Sequence, residues 1–115
     1  MRNSEPLRHA LAEVEAFCES RIPVGLRDQI RLEYAVRGNA ITIVERRPPW
    51  RPDFGPDWTS SEVAQLRYDE GSSTWPLHCR SARGRWFLYD EVEPSRDVAP
   101  LLTEIDADPT GIFWG

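Results

Sequence analysis

The sequence predicts an α+β fold in one domain, residues 1–115: an N-terminal helix, a five-stranded antiparallel meander and a short C-terminal helix. Three observations carry that expectation. Leu7, Leu11, Val14, Phe17 and Cys18 recur at helical spacing and make one apolar stripe. Ile30, Leu32, Tyr34 and Val36 alternate strictly with Arg31, Glu33, Ala35 and Arg37, the mark of a half-buried strand. Turn-forming residues then separate three more short apolar segments before a last helical pattern at Leu101, Leu102 and Ile105.

The first helix has a start and a stop. Ser4 can accept hydrogen bonds from first-turn amides, Pro6 fits that turn, and Pro23 and Gly25 end the helix. After the alternating strand, Gly38-Asn39 suits a two-residue type II′ turn. The return strand then carries Ile41 and Ile43 on the apolar face, pairing Val36 with Ile41, Tyr34 with Ile43 and Leu32 with Glu45.

Arg46 to Ser60, RRPPWRPDFGPDWTS, reads as a long connection stiffened by Pro48, Pro49, Pro52 and Pro56. Its Trp50, Phe54 and Trp58 are too many aromatics for a solvated linker. Val63 to Asp69 is the third predicted strand, with Ala64, Leu66 and Tyr68 on one face. Trp75, Leu77 and Cys79 mark the fourth, where Pro76 argues for an edge position or a bulge. Arg85 to Asp90 is the fifth, with Trp86 and Leu88 inward, Phe87 and Tyr89 outward, and His78 opposite Phe87. A helix over Val98 to Ile105 follows, and Ile112-Phe113-Trp114 is apolar enough that it should dock. Packing the first helix on the apolar sheet face makes the core.

Composition narrows the function. A net charge of −5 and a pI near 5.0 oppose general nucleic-acid binding, which needs concentrated positive charge. All fourteen basic residues are Arg, a side chain suited to bidentate contact with carboxylate or phosphate. The charged first residues do not read as a signal peptide, no apolar run approaches a membrane span, and Cys18 and Cys79 lack CxxC spacing. These features predict a cytoplasmic protein with reduced thiols, no membrane association and no cofactor.

The string ERRPPW at Glu45–Trp50, W-x(4)-V-A-x-L-R-Y from Trp58 to Tyr68, W-x-L at Trp75–Leu77 and G-R-W-x-L-Y-D ending at Asp90 resemble a bacterial family. It is the domain-of-unknown-function family numbered three thousand and twenty-four. The likeness runs from about Pro23 to Trp114. It implies a small bacterial cytoplasmic protein without assigned activity, cofactor or partner. At His78 this chain departs from the aromatic residue expected there.

Two surfaces are candidates for binding. The outward sheet face should present Arg67, His78, Phe87 and Tyr89, with Gln65, Arg80 and Arg85 nearby, as a contact surface for a protein or a small anionic ligand. In the long connection, Arg46, Arg47 and Arg51 beside Trp50 could clasp an anion with the indole as a platform, unless Arg47 simply bridges to Glu45 or Asp57. The register puts Glu45 on the core side opposite Leu32, where it needs an Arg partner. Glu45 with His78 is the enzymatic alternative, an acid–base pair acting on an anionic substrate, but their side chains are predicted on opposite faces. A third reading is a structural homodimer that buries the outer face.

Metal ligation is not predicted. His78-Cys79 project to opposite faces of a strand, and His9 and Cys18 are nine residues apart on the helix. Asp106-x-Asp108-x-Thr110-Gly111 opens like a calcium loop, but the twelfth-position Glu is missing and Pro109 points to an ordinary turn. No nucleophile elbow, P-loop or dinucleotide fingerprint occurs, so the leading expectation is a non-enzymatic binding module.

Overall fold

Helix α1 runs Glu5–Arg21, with an acidic residue in its first turn and Arg21 in its last, both favourable to the helix dipole. Its buried stripe is Leu7, Ala10, Val14 and Cys18, flanked by half-buried Leu11 and Phe17. A short 3-10 turn, Val24–Leu26, leads to the sheet. The computed structural model describes residues 5–49, 53, 55 and 57–114, so Ser4 lies outside the described residues.

The strands are β1 (Arg31–Arg37), β2 (Ala40–Arg47), β3 (Thr59–Arg67), β4 (Leu77–Arg80) and β5 (Trp86–Leu88). They form one sheet in the order β1-β2-β3-β4-β5, each pair antiparallel, which is the predicted meander. The β1–β2 register is the predicted one: Val36 faces Ile41, Tyr34 faces Ile43 and Leu32 faces Glu45. Gly38 takes a φ of 59° while Asn39 stays at negative φ, as a type II′ turn requires.

Strand β3 begins earlier than predicted. Thr59 to Glu62 pair with the end of β2, but these residues are polar and carry no alternation to read. A register shift at Ile43/Val44 leaves Val63 as the extra residue of a bulge, and Val63 and Ala64 are both buried in succession. Pro76 does not make β4 an edge strand. Strand β4 starts just after it and lies between β3 and β5, while the Pro76 carbonyl accepts from the Arg67 amide.

The β4–β5 register corrects the sequence reading. His78 faces Leu88, Cys79 faces Phe87 and Arg80 faces Trp86. The Gly84 amide donates to the Ser81 carbonyl and Gly84 has a φ of 78°, so a type I turn closed by a left-handed glycine joins the strands. That loop has an odd length, and an odd length inverts strand parity. Trp86 and Leu88 therefore share the outer side with His78. Phe87 has core-side parity, and Tyr89 is buried at 4% exposure.

Helix α2 (Ala99–Ala107) carries Pro100 in its first turn and buries Leu101, Leu102 and Ile105. It ends at Asp108, which is left-handed and whose amide donates to the Glu104 carbonyl. The Asp108 carboxylate accepts from the amides of Phe113 and Trp114, both at 3.0 Å. The calcium-like string is thus a turn that folds back the tail. Phe113 packs on Tyr89 at 4.9 Å between ring centres, and Trp114 Nε1 donates to the Ile105 carbonyl at 2.8 Å, so the tail docks.

One apolar core gathers Val14 of α1, Ile41 and Ile43 of β2, Leu66, Leu77, Trp75 and Leu101 and Ile105 of α2, all at 1% exposure or less. Both helices contribute to it, so both pack on the same side of the sheet.

Candidate functional site

With both helices on one side, strand parity assigns the opposite face to Arg31, Glu33, Ala35 and Arg37 of β1, Ala40, Thr42, Val44 and Arg46 of β2, and Ser60, Glu62, Gln65 and Arg67 of β3. His78 and Arg80 of β4 and Trp86 and Leu88 of β5 complete it. No described helix covers this face.

Its centre is an ordered polar line. Gln65 Nε2 donates to Thr42 Oγ1 at 2.9 Å, and Arg67 Nε donates to Gln65 Oε1. The amide is therefore oriented from both ends, and the Arg67 guanidinium is held through its Nε. His78 sits across from Gln65 in the register. Burial, and then the neighbouring Arg67 charge, hold its pKa below the ordinary 6.5, with the Pro76 carbonyl acting in the opposite sense. The charged imidazolium of His78 is thus disfavoured beside a permanent cation.

The flanks differ in chemistry. Arg37 and Arg67 lie on either side of the small Ala40 in one register row, about 10 Å apart across two strand spacings. Neither has a carboxylate partner among the described residues. Towards β5, Arg80 is paired with Glu62, donates to the Gly84 carbonyl at 2.6 Å and lies 5.3 Å from the Trp86 ring centre. Leu88 is 52% exposed on the same side and Phe87, of the other parity, 43% exposed at the same edge.

The predicted Arg/Trp cluster is divided by strand parity. Arg46 points to the outer face, 3.4 Å from Glu33. Arg47 takes the other side, where its Nε donates to Glu45 Oε1 at 2.9 Å, the bridging alternative read from the sequence. Glu45 therefore has its Arg partner. Trp50 and Arg51 lie outside the described residues. Trp58 stacks under Arg31 at 4.1 Å.

Of the residues singled out from sequence, Arg67 and His78 are brought together. Arg46 shares their face at its far end, and Arg47 does not. Glu45 and His78 lie on opposite faces of strands separated by β3, so no acid–base pair forms. Tyr89 is in the core, where its hydroxyl donates to Glu104, and is not on the outer surface. Sequence reasoning missed Thr42, Arg37 and Leu88. The legible signal for Leu88 was the Ser-Ala-Arg-Gly string, whose glycine at the fourth place marks a three-residue hairpin loop.

Among the described residues, grooves lie beside the helices. One groove of about 310 Å³ runs between α1 and α2, lined by Phe17, Arg21, Leu102 and Asp106. Another, of about 150 Å³, lies between α1 and β1 beside Cys18 and Leu32. No described helix is long and apolar enough to cross a membrane.

A family described as Domain of unknown function (DUF3024) matches residues 2–115 of the chain. No curated protein and no solved structure matches it.

Proposed function

The chain belongs to the DUF3024 family, and we propose that it is a non-enzymatic binding module whose outer sheet face receives an acidic, leucine-bearing segment of a partner protein. One observation carries this reading: both helices pack on one side, and among the described residues no helix covers the Thr42–Gln65–Arg67 line and His78 on the other. A guanidinium held through its Nε suits a carboxylate, and Arg37 supplies a second guanidinium in the same register row. Leu88 and Trp86 give the apolar contact beside them. Neither groove described above is lined by Thr42, Gln65, Arg67 or His78, so this face fits a polypeptide better than a small molecule, since small ligands favour concave sites. Local cationic groups on a chain of net charge −5 also favour an anionic partner at this place over others. Two buried unpaired thiols fit a cytoplasmic, reducing compartment.

The test uses a fluorescently labelled peptide of alternating Glu and Leu, followed by anisotropy and by amide chemical shifts of the protein. Binding should move the signals of Thr42, Gln65, His78 and Leu88, and the double reversal Arg37→Glu with Arg67→Glu should weaken it roughly tenfold or more. Shifts confined to the helical side, or unchanged affinity in the double variant, would refute the reading. A mass that doubles with concentration, with no peptide bound, would favour the homodimer alternative.

A further inference from the structure

Strand β1 has β2 on one side, and no described strand lies on its other side. Arg37 and Ala40 close the two-residue turn as a hydrogen-bonded pair, so Arg31, Glu33, Ala35 and Arg37 direct their backbone groups to β2. Leu32, Tyr34 and Val36 direct theirs to the open edge. We propose that this edge pairs antiparallel with β1 of a second copy of the chain, two-fold about Ala35, so that one sheet runs through both copies.

The side chains select that alignment. Backbone groups match only if Leu32, Tyr34 and Val36 meet residues of the same set, which leaves few choices. A two-fold at Glu33 sets Glu33 against itself, and one at Tyr34 sets Arg31 against Arg37, both unfavourable like-charge pairs. A two-fold at Val36 brings no opposite charges together, and one at Leu32 leaves Tyr34 and Val36 outside the paired strands. At Ala35, Glu33 meets Arg37 of the second copy and Tyr34 meets its Val36, and symmetry repeats both pairs. Arg37 has no carboxylate partner among the described residues, and this pairing supplies one. Charged side chains ordinarily keep open edges from pairing, but here their order fits one alignment and rejects its neighbours.

Exposure points to the same stretch of chain. Val36 has core-side parity and faces fully buried Ile41, yet it is 44% exposed. A groove of about 330 Å³ runs between α1 and β1, where Glu15, Cys18 and Glu19 face Leu32, Glu33 and Tyr34, and Val36 lies beyond it. In the proposed pairing Val36 of the second copy lies opposite Tyr34, at the end of this groove. Core-side apolar groups that α1 leaves in water then cover one another. An edge pairing of this length buries less than a standard interface, so a Kd of roughly 10–500 μM is expected. The edge is separate from the Thr42–Gln65–Arg67 line, and the Arg37 fork has donors to spare for a second carboxylate.

The test is sedimentation equilibrium of the full, tag-free chain from roughly 10 μM to about 1 mM, which should show monomer passing to dimer. Amide shifts that accompany association should centre on Leu32–Arg37 and spare Gln65 and His78, which a dimer through the outer face would move instead. Glu33→Lys should weaken association roughly tenfold or more, and adding Arg37→Glu should restore it by exchanging the charges of the pair. Glu33 is exposed and its contact with Arg46 is a surface ion pair, so the fold should survive the change. Ala35→Cys should form a covalent dimer on oxidation with copper phenanthroline, because the two-fold brings the two positions within disulfide reach. Peptide binding is tested apart from this by Arg67→Glu, which leaves the β1 edge unchanged. Monomer throughout the range would overturn the proposal and leave the edge to a strand of another protein. Shifts centred on Gln65 and His78, undiminished association of Glu33→Lys, no rescue by Arg37→Glu or no link through Ala35→Cys would overturn it equally.

Discussion

The Tyr89 hydroxyl donates to Glu104 Oε2 at 2.6 Å, tying the residue after β5 to the middle of α2. The ring is buried and packs on Phe113. Burial first, and the bond to Glu104 next, push the phenol up to about 12. Tyr89→Phe should cost roughly 1.5–3 kcal/mol, the range for a hydrogen bond to a charged acceptor. Tyr89→Ala should cost more, about 3–5 kcal/mol, because it also opens a cavity beside Phe113. Urea denaturation of both variants measures the difference. In a spectrophotometric titration Tyr89 should ionise only near pH 12.

The two thiols should be inert in the folded state. Burial, with the nearby Glu33, Glu15 and Glu19 charges adding to it, pushes Cys18 up to about 12, and burial and Asp90 raise Cys79. The thiolate is the reacting species, so a disulfide reagent at pH 8 should label neither residue until denaturant is added. Fast labelling of native protein would show that the α1–β1 seam opens readily.

The Arg67 charge beside His78 has a measurable consequence. Arg67→Ala should raise the His78 pKa, followed by ring proton shifts across pH 4–8. The sign for stability follows from linkage. The folded pKa is depressed below the unfolded 6.5, so the unfolded chain takes up the proton first and stability falls as pH drops below about 6.5. Between pH 7 and pH 5, wild type should lose more stability than Arg67→Ala through this group.

Asp108 is the fastening of the tail. Asp108→Ala removes the acceptor of two amides and leaves a β-carbon in the left-handed region, for a cost of about 2–3 kcal/mol. Asp108→Gly loses the same acceptor but tolerates the backbone, so it should cost less. In both variants the Phe113 and Trp114 amides should exchange with deuterium far faster than in wild type.

Much of the fold was legible where one face is apolar and the other charged. The β1–β2 register could be read residue by residue, because Leu32, Tyr34, Ile41 and Ile43 have only one way to be buried together. The family was also legible from short ordered strings around Glu45–Trp50, Val63–Tyr68 and Gly84–Asp90. Strand β5 was not. Trp86, Phe87, Leu88 and Tyr89 are all apolar or aromatic, so alternation gives no parity, and only the loop length decides which side each takes. The start of β3 failed for the opposite reason, since Thr59 to Glu62 are polar on both sides. The outer-face network was half legible: Arg67 and His78 are visible in sequence, but their link through Gln65 to Thr42 depends on three strands in register.

Because each strand lies beside its neighbour in the chain, the sheet can assemble by successive local closures. The entropic cost of each closure grows only slowly with the length closed, and short loops close soonest. The slow step should then be joining β2 to β3 across residues 48–58, the longest span any adjacent strands must bridge. Shortening that segment should speed refolding, while Gly38→Val should slow the first hairpin, because a branched side chain resists the left-handed turn.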